Sequence, residues 1–337
     1  MSRQKKPRIA VLPGDPCGVG PELAAKLLAE REMLAQAQVI ALGDRRIFQM
    51  GETLAGVSLE ICDIHEIEAL PSESTTLFCL DYPSMAPEDV TRGKVNPKAG
   101  ASVYKTLLYA LELAQSGAID GFVFAPFNKK AMHLGGCPFE SEFMLFLDFF
   151  QIHGVHGEIN VLDELWTTRV SSHIALKDVV ECIQQQRIFE TIRHLHQSLQ
   201  RYGLLQPKIA VTGLNPHCGE EGMFGREELD EIGPAVEQAK SEGMNVVGPY
   251  PADTIFLRRE KEQFNGIISM YHDQGQVATK LLGFDRGVTV HGGLPVPITT
   301  PSHGTAFDIA GKGIAHHQAI CNAFNIAVQM AQGGRST

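Results

Sequence analysis

The chain has 337 residues, 44% hydrophobic and 20% charged, with 29 basic against 39 acidic side chains and a formal net charge of −10. That length exceeds what one hydrophobic core usually organises, so two domains are expected. The composition excludes disordered, collagen-like and coiled-coil classes, and the acidic balance argues against a broad phosphate-backbone-binding surface, so nucleic acid is not an expected partner.

The basic start Met1–Arg8 is followed by an apolar run too short for a secretion signal, and no stretch approaches the roughly 18 apolar residues of a membrane span, so a cytoplasmic protein with no membrane partner is expected. Seven cysteines, scattered singly without a C-x-x-C pair, signal neither a disulfide framework nor a cysteine metal site and read as reduced thiols, mostly in the core.

In chain order, short apolar runs alternate with segments of helical period, the pattern of an α/β protein whose sheet is covered by helices. Strands are expected at 8–12, 39–42, 77–81, 121–125, 208–212 and 266–270, most of them ending at Gly, Pro, Asp or Asn. Helices are expected at 21–31, 101–115, 179–202, 227–242 and 318–331. The apolar run 143–150 reads as a buried helix, with the lining of a ring-shaped pocket as the alternative.

Of the 13 histidines, His194, His196, His316 and His317 lie in or beside helical stretches and need no function. His173, His217 and His272 differ, because each follows a strand-like segment in small or polar company. Three imidazoles with an open position suit a catalytic divalent metal, but their spacing is not diagnostic, and three unrelated loop histidines stand beside that reading. Gly14, Gly18 and Gly20 make a glycine-rich turn from a strand into a helix opening at Pro21, either a tight turn or a loop that lets backbone approach a ligand. Near the other end, 302–313 is a run of small residues around Asp308, a carboxylate able to accept ribose hydroxyls and to repel a 2′-phosphate, which favours NAD over NADP if a dinucleotide binds there.

Motifs at 14–22, 125–129, 172–173, 215–220, 251–254, 271–275 and 303–306 together make the chain resemble the 4-hydroxythreonine-4-phosphate dehydrogenase family along essentially its whole length. The first and last are also similar to the isopropylmalate and isocitrate dehydrogenases. The resemblance implies a two-domain fold with a central mixed sheet flanked by helices and an active-site cleft. It further implies a cofactor-side domain at 1–128 and 281–337, and a metal, substrate and dimerisation domain at 129–280. The implied partners are a small hydroxy-acid substrate and a second copy of the chain, with residues contributed across the dimer interface.

The implied chemistry is oxidation of the hydroxyl of a β-hydroxy acid, hydride passing to NAD, followed by decarboxylation. By the resemblance His173, His217 and His272 are the metal ligands, for zinc, cobalt, nickel, manganese or magnesium. Gly14, Asp15, His303, Gly304, Thr305 and Asp308 face the cofactor, and Lys280, Asp253, Asp273 and Lys129 are the candidates for proton transfer. Where the family contacts phosphate with a His-Thr pair, an Asn and an Arg, this chain has Glu140, Ser141, Thr289 and Ile298, retaining only Lys280. Loss of that Arg is similar to the terephthalate cis-dihydrodiol dehydrogenases. The expected substrate is therefore a non-phosphorylated hydroxy acid or dihydrodiol carboxylate, with 4-hydroxythreonine 4-phosphate as the alternative. A non-catalytic binding protein on the same fold is the alternative of another class.

Overall fold

The computed structural model describes residues 6–67, 70, 74–283 and 285–334. Among them, twelve strands run β1 (Arg8–Leu12), β2 (Gln38–Gly43), β3 (Ile61–Ile64), β4 (Leu77–Asp81), β5 (Gly121–Phe124), β6 (Gly157–Leu162), β7 (Leu165–Arg169), β8 (Ile209–Thr212), β9 (Val246–Tyr250), β10 (Gly266–Ser269), β11 (Val288–Gly292) and β12 (Ile298–Pro301). The helices are α1 (Gly20–Ala29), α2 (Arg31–Gln36), α3 (Arg45–Ala55), α4 (Pro97–Gln115), α5 (Lys129–Leu134), α6 (Glu142–Phe149), α7 (Gln185–Tyr202), α8 (Gly233–Ser241), α9 (Ala252–Glu262), α10 (His272–Gly283) and α11 (Gln318–Gly333). The class is α/β, a mixed sheet flanked by helices. No described helix is long and apolar enough to cross a membrane.

The chain divides into two compact units, 1–153 with 288–337, and 154–287. The first unit orders its strands β3-β4-β2-β1-β5-β12-β11, and among the described residues its strands pair in parallel except for the antiparallel pair β11 and β12. All six residues of β2 and all four of β5 are buried, as expected of central parallel strands covered on both faces. Phe122 on β5 meets Phe146 of α6 edge-on at 6.0 Å in the core, and each such fully buried ring contributes about 1.5–3 kcal/mol.

The unit boundaries fall at 153/154 and 287/288, later than the expected 128/129 and 280/281. Packing explains the first difference: Met132 of α5 and Phe143, Leu145 and Phe146 of α6 all join the first unit's core. The run 143–150 is thus the buried helix rather than a pocket wall, with Met144 and Asp148 its exposed members.

The second unit orders its strands β6-β7-β10-β8-β9, with β7, β10, β8 and β9 parallel and β6 antiparallel to β7. Helix α7 begins at Gln185, later than the expected 179, because 180–182 forms a separate short turn ahead of it. His194 on α7 is a core histidine: its Nε2 faces the Gly157 carbonyl at 3.2 Å, and burial lowers its pKa to about 4. All seven cysteines are free, and Cys17, Cys79, Cys137 and Cys321 are buried.

Candidate functional site

Each unit places several of its candidate residues just past the carboxyl ends of parallel strands, where open α/β sheets bind ligands. In the first unit the strands are β1, β5 and β12. Their loops are stitched by backbone bonds: Asp15 N–H donates to the Pro126 carbonyl at 3.0 Å, and Val19 N–H to the Thr305 carbonyl at 3.0 Å.

The glycines of the first loop serve this stitching. Gly14 has φ +68°, and a Cβ there would lie 2.3 Å from the Ala125 carbonyl oxygen, while one at Gly18 would lie 2.8 Å from that of Thr305. Their close approach is therefore to neighbouring loops of the protein. Gly304, by contrast, is exposed, with nothing within 4 Å of where its Cβ would stand. His303 is half-buried, its Nδ1 against the Gly304 carbonyl, Thr305 is buried, and Asp308 is exposed.

Asp15 is 1% exposed; its Oδ1 accepts from Cys17 N–H at 2.8 Å, and its Oδ2 has no hydrogen-bond partner. Burial, only partly offset by backbone donors at Cys17 and Asn128, raises its pKa to about 6. An orphaned buried carboxylate oxygen is costly and marks a candidate ligand contact. Because the folded value lies above the ordinary 3.8, the ionised form is penalised: the cost is absent below pH 4, grows through pH 4–6 and is complete above, reaching about 3 kcal/mol. Asp15→Asn is therefore expected to stabilise the ligand-free protein at pH 8 by about 1–3 kcal/mol and to have little effect at pH 4. Denaturant titrations at the two pH values check this, and a gain independent of pH would contradict it.

Lys129 opens α5, and its Nζ lies 3.1 Å from Oε2 of the buried Glu142, whose Oε1 is 3.7 Å from His291 Nε2. Burial alone would raise the Glu142 carboxyl, but His291 and Lys129 outweigh it and hold its pKa at about 2. The substrate candidates of this unit scatter. Glu140 is exposed, Ser141 caps α6 by accepting from Met144 N–H, and Thr289 Oγ1 lies 3.1 Å from Ser302 Oγ. Ile298 is 0% exposed in the core, so its side chain packs against protein rather than facing a ligand.

In the second unit β7, β10 and β8 lead to His173, His272 and His217 respectively. The rings of His173 and His272 lie 5.6 Å apart between centroids, close enough for one nitrogen of each to reach a single divalent ion. Asp273 Oδ1 lies 2.7 Å from His272 Nδ1, the carboxylate arrangement that orients a ligating imidazole. Arg169, 8% exposed, donates from Nε to Ser172 Oγ at 2.9 Å and pairs with Glu158 at 3.1 Å, fixing the strand end beside His173. Gln274 ties β8 to β10: its Oε1 accepts from Thr212 Oγ1 and Met270 N–H, and its Nε2 donates to the Gly213 carbonyl.

His217 stands apart. It opens a run, His217–Glu221, in which all five residues have positive φ, four of them not glycine. Left-handed backbone costs such residues roughly 1–2 kcal/mol each and seldom persists beyond one position, so this turn stores strain, as functional sites do. Among the described residues, no set of three nitrogens lying within 4.8 Å of one another unites His173, His217 and His272. Asp253, in the first turn of α9, is exposed, as is Asp273. Lys280 is exposed two turns along α10, about 12 Å from His272 by helical rise. Arg169, Gln274 and the acid Glu228 were not singled out by sequence; Gln274 lies inside the motif 271–275, whereas nothing local distinguishes the other two.

The family model for pyridoxal phosphate biosynthetic protein PdxA matches residues 35–327. A Pseudomonas aeruginosa protein provisionally named 4-hydroxythreonine-4-phosphate dehydrogenase 2 is 44% identical, covering 98% of this chain and 99% of its own. A D-threonate 4-phosphate dehydrogenase of Cupriavidus necator is 38% identical, over 96% and 97%. Among solved structures, 4-hydroxythreonine-4-phosphate dehydrogenase from Klebsiella pneumoniae superposes with a TM-score of 0.85 at 34% identity, over 98% of this chain and 100% of that one. A terephthalate 1,2-cis-dihydrodiol dehydrogenase from Burkholderia xenovorans shares the fold, with a TM-score of 0.68 at 23% identity over 96% and 98%.

Proposed function

From the premise that this chain belongs to the PdxA family, a family of dehydrogenases acting on CH–OH groups with NAD(P) and a divalent metal, we propose that it oxidises a β-hydroxy acid with NAD and couples the oxidation to decarboxylation. The observation that carries the reading is the pairing of His173 with His272 at the ends of adjacent parallel strands, with Asp273 behind His272. His217 is the third ligand. A bound divalent cation would lower the pKa of the substrate hydroxyl and stabilise the negative charge that develops as carbon dioxide leaves. Asp273, bonded to His272, and Asp253, whose charge reaches Cys218 next to His217, are the candidates to accept the hydroxyl proton. NADH formation accompanied by stoichiometric carbon dioxide release tests the assignment, and NADH without carbon dioxide would refute the coupled step.

The substrate we put first is a non-phosphorylated hydroxy acid or dihydrodiol carboxylate, because an exposed acid, Glu140, stands where the family resemblance has a phosphate-binding group; Ile298, packed in the core, carries none of this reading. A hydroxy acid phosphate is the second reading, favoured by the names of the full-length relatives.

The working unit we infer is a homodimer that completes the metal site. Exposed apolar side chains concentrate on the segments bearing the histidines and on the helices beside them: Ile174 and Leu176, Met223 and Phe224, Leu257, Val277 and Leu281. Exposed apolar side chains of this kind are what a protein interface would cover.

Asp308, Asp15 and the open Gly304 loop suit a dinucleotide. Since Asp308 is exposed, solvent screens its repulsion of a 2′-phosphate, and the expected preference for NAD over NADP is about 1 kcal/mol, roughly fivefold in kcat/KM. Asp308→Asn should abolish it; equal efficiency of the unaltered protein with both cofactors would remove Asp308 from this role.

A further inference from the structure

Glu228 is 4% exposed and is committed wholly to the segment that leads into His217. Its Oε1 accepts from the N–H groups of Leu214 and Asn215, each at 2.7 Å, and its Oε2 accepts from Asn215 Nδ2 at 3.0 Å. A Cβ at Gly219, the middle of the left-handed run, would lie 2.8 Å from Oε2, so the turn is folded directly over this carboxylate. All three partners are donors, and a carboxylate is the one side chain of this size that accepts on both oxygens.

We propose that Glu228 is a positioning residue for metal binding, holding the His217–Glu221 turn in its left-handed course so that the His217 imidazole is presented to the ion. The inference rests on the reading of His217 as a ligand. Groups behind a metal ligand typically change affinity 10–100-fold when altered, and Glu228 acts on the segment 214–215 leading into His217 rather than on the ring. Glu228→Gln keeps the volume but turns one acceptor into a donor facing Asn215 Nδ2, loosening the turn without opening a cavity.

The test is a titration of the metal-free, full-length protein with Co(II), followed by visible ligand-field absorption, in four forms: unaltered, Glu228→Gln, His217→Ala and the double variant. Glu228→Gln is expected to weaken Co(II) binding about tenfold in the unaltered background and less than about twofold when His217 is already alanine. An equal loss in both backgrounds, or none in either, would overturn the proposal. Unchanged affinity in His217→Ala would overturn the ligand reading itself and this inference with it. Asn215→Ala, which deletes the donor to Oε2, carries the same expected coupling and keeps the comparison decisive if Glu228→Gln folds poorly.

Discussion

Alanine at His173, His217 or His272 is expected to lower NADH formation at least a thousandfold, about 4 kcal/mol of transition-state stabilisation, while leaving the fold intact. The magnitude follows from the proposed ligand set, in which each substitution removes one of only three protein ligands. Survival of the fold follows from exposure: His173 and His217 are exposed, the His272 side chain is 36% exposed, and surface substitutions usually shift stability within about 0.5 kcal/mol. The measurement pairs initial rates at saturating metal with metal content after dialysis and a thermal melt. A His217→Ala protein with normal turnover and full metal content would refute the three-histidine assignment.

A hundredfold or greater preference for a non-phosphorylated β-hydroxy acid over 4-hydroxythreonine 4-phosphate is the second expected result. Each lost charge-assisted hydrogen bond to phosphate is worth roughly 1.5–3 kcal/mol, and two such losses already amount to about a hundredfold or more. The tertiary structure selects the reciprocal experiment. Ile298→Arg would drive a guanidinium into the first unit's core, at a position 0% exposed, and would be read as unfolding. Glu140→His sits on an exposed position and removes the acid, so it should narrow the preference without a stability cost. Turnover of 4-hydroxythreonine 4-phosphate by the unaltered protein with a micromolar KM would reverse the order of the two substrate readings.

The α/β class and the first unit's central strands were legible because a strand buried on both faces must be nearly continuous Val, Ile, Leu, Ala and Phe, as in β1, β2 and β5. Strands β7 and β12 were not, since Leu-Trp-Thr-Thr-Arg and Ile-Thr-Thr-Pro are short and carry polar side chains. Their extended state is imposed by the neighbours they pair with. The histidines proposed for the metal stand out by chemical type and by their place after strand-like segments, a local property.

By itself, then, the order of residues determined the chemistry available, namely three imidazoles after strand-like runs, a glycine-rich turn and an acid in a small-residue loop. Each of these depends only on side chains adjacent along the chain. The tertiary structure alone decided which of them meet and what holds them. Parallel pairing of β7 with β10 brings His173 and His272 together although about a hundred residues separate them. Burial turns Asp15 into a carboxyl with a raised pKa, sends Ile298 into the core, and commits Glu228 to the His217 turn. Those outcomes depend on desolvation and on contacts between distant segments, which exist only once the chain has folded.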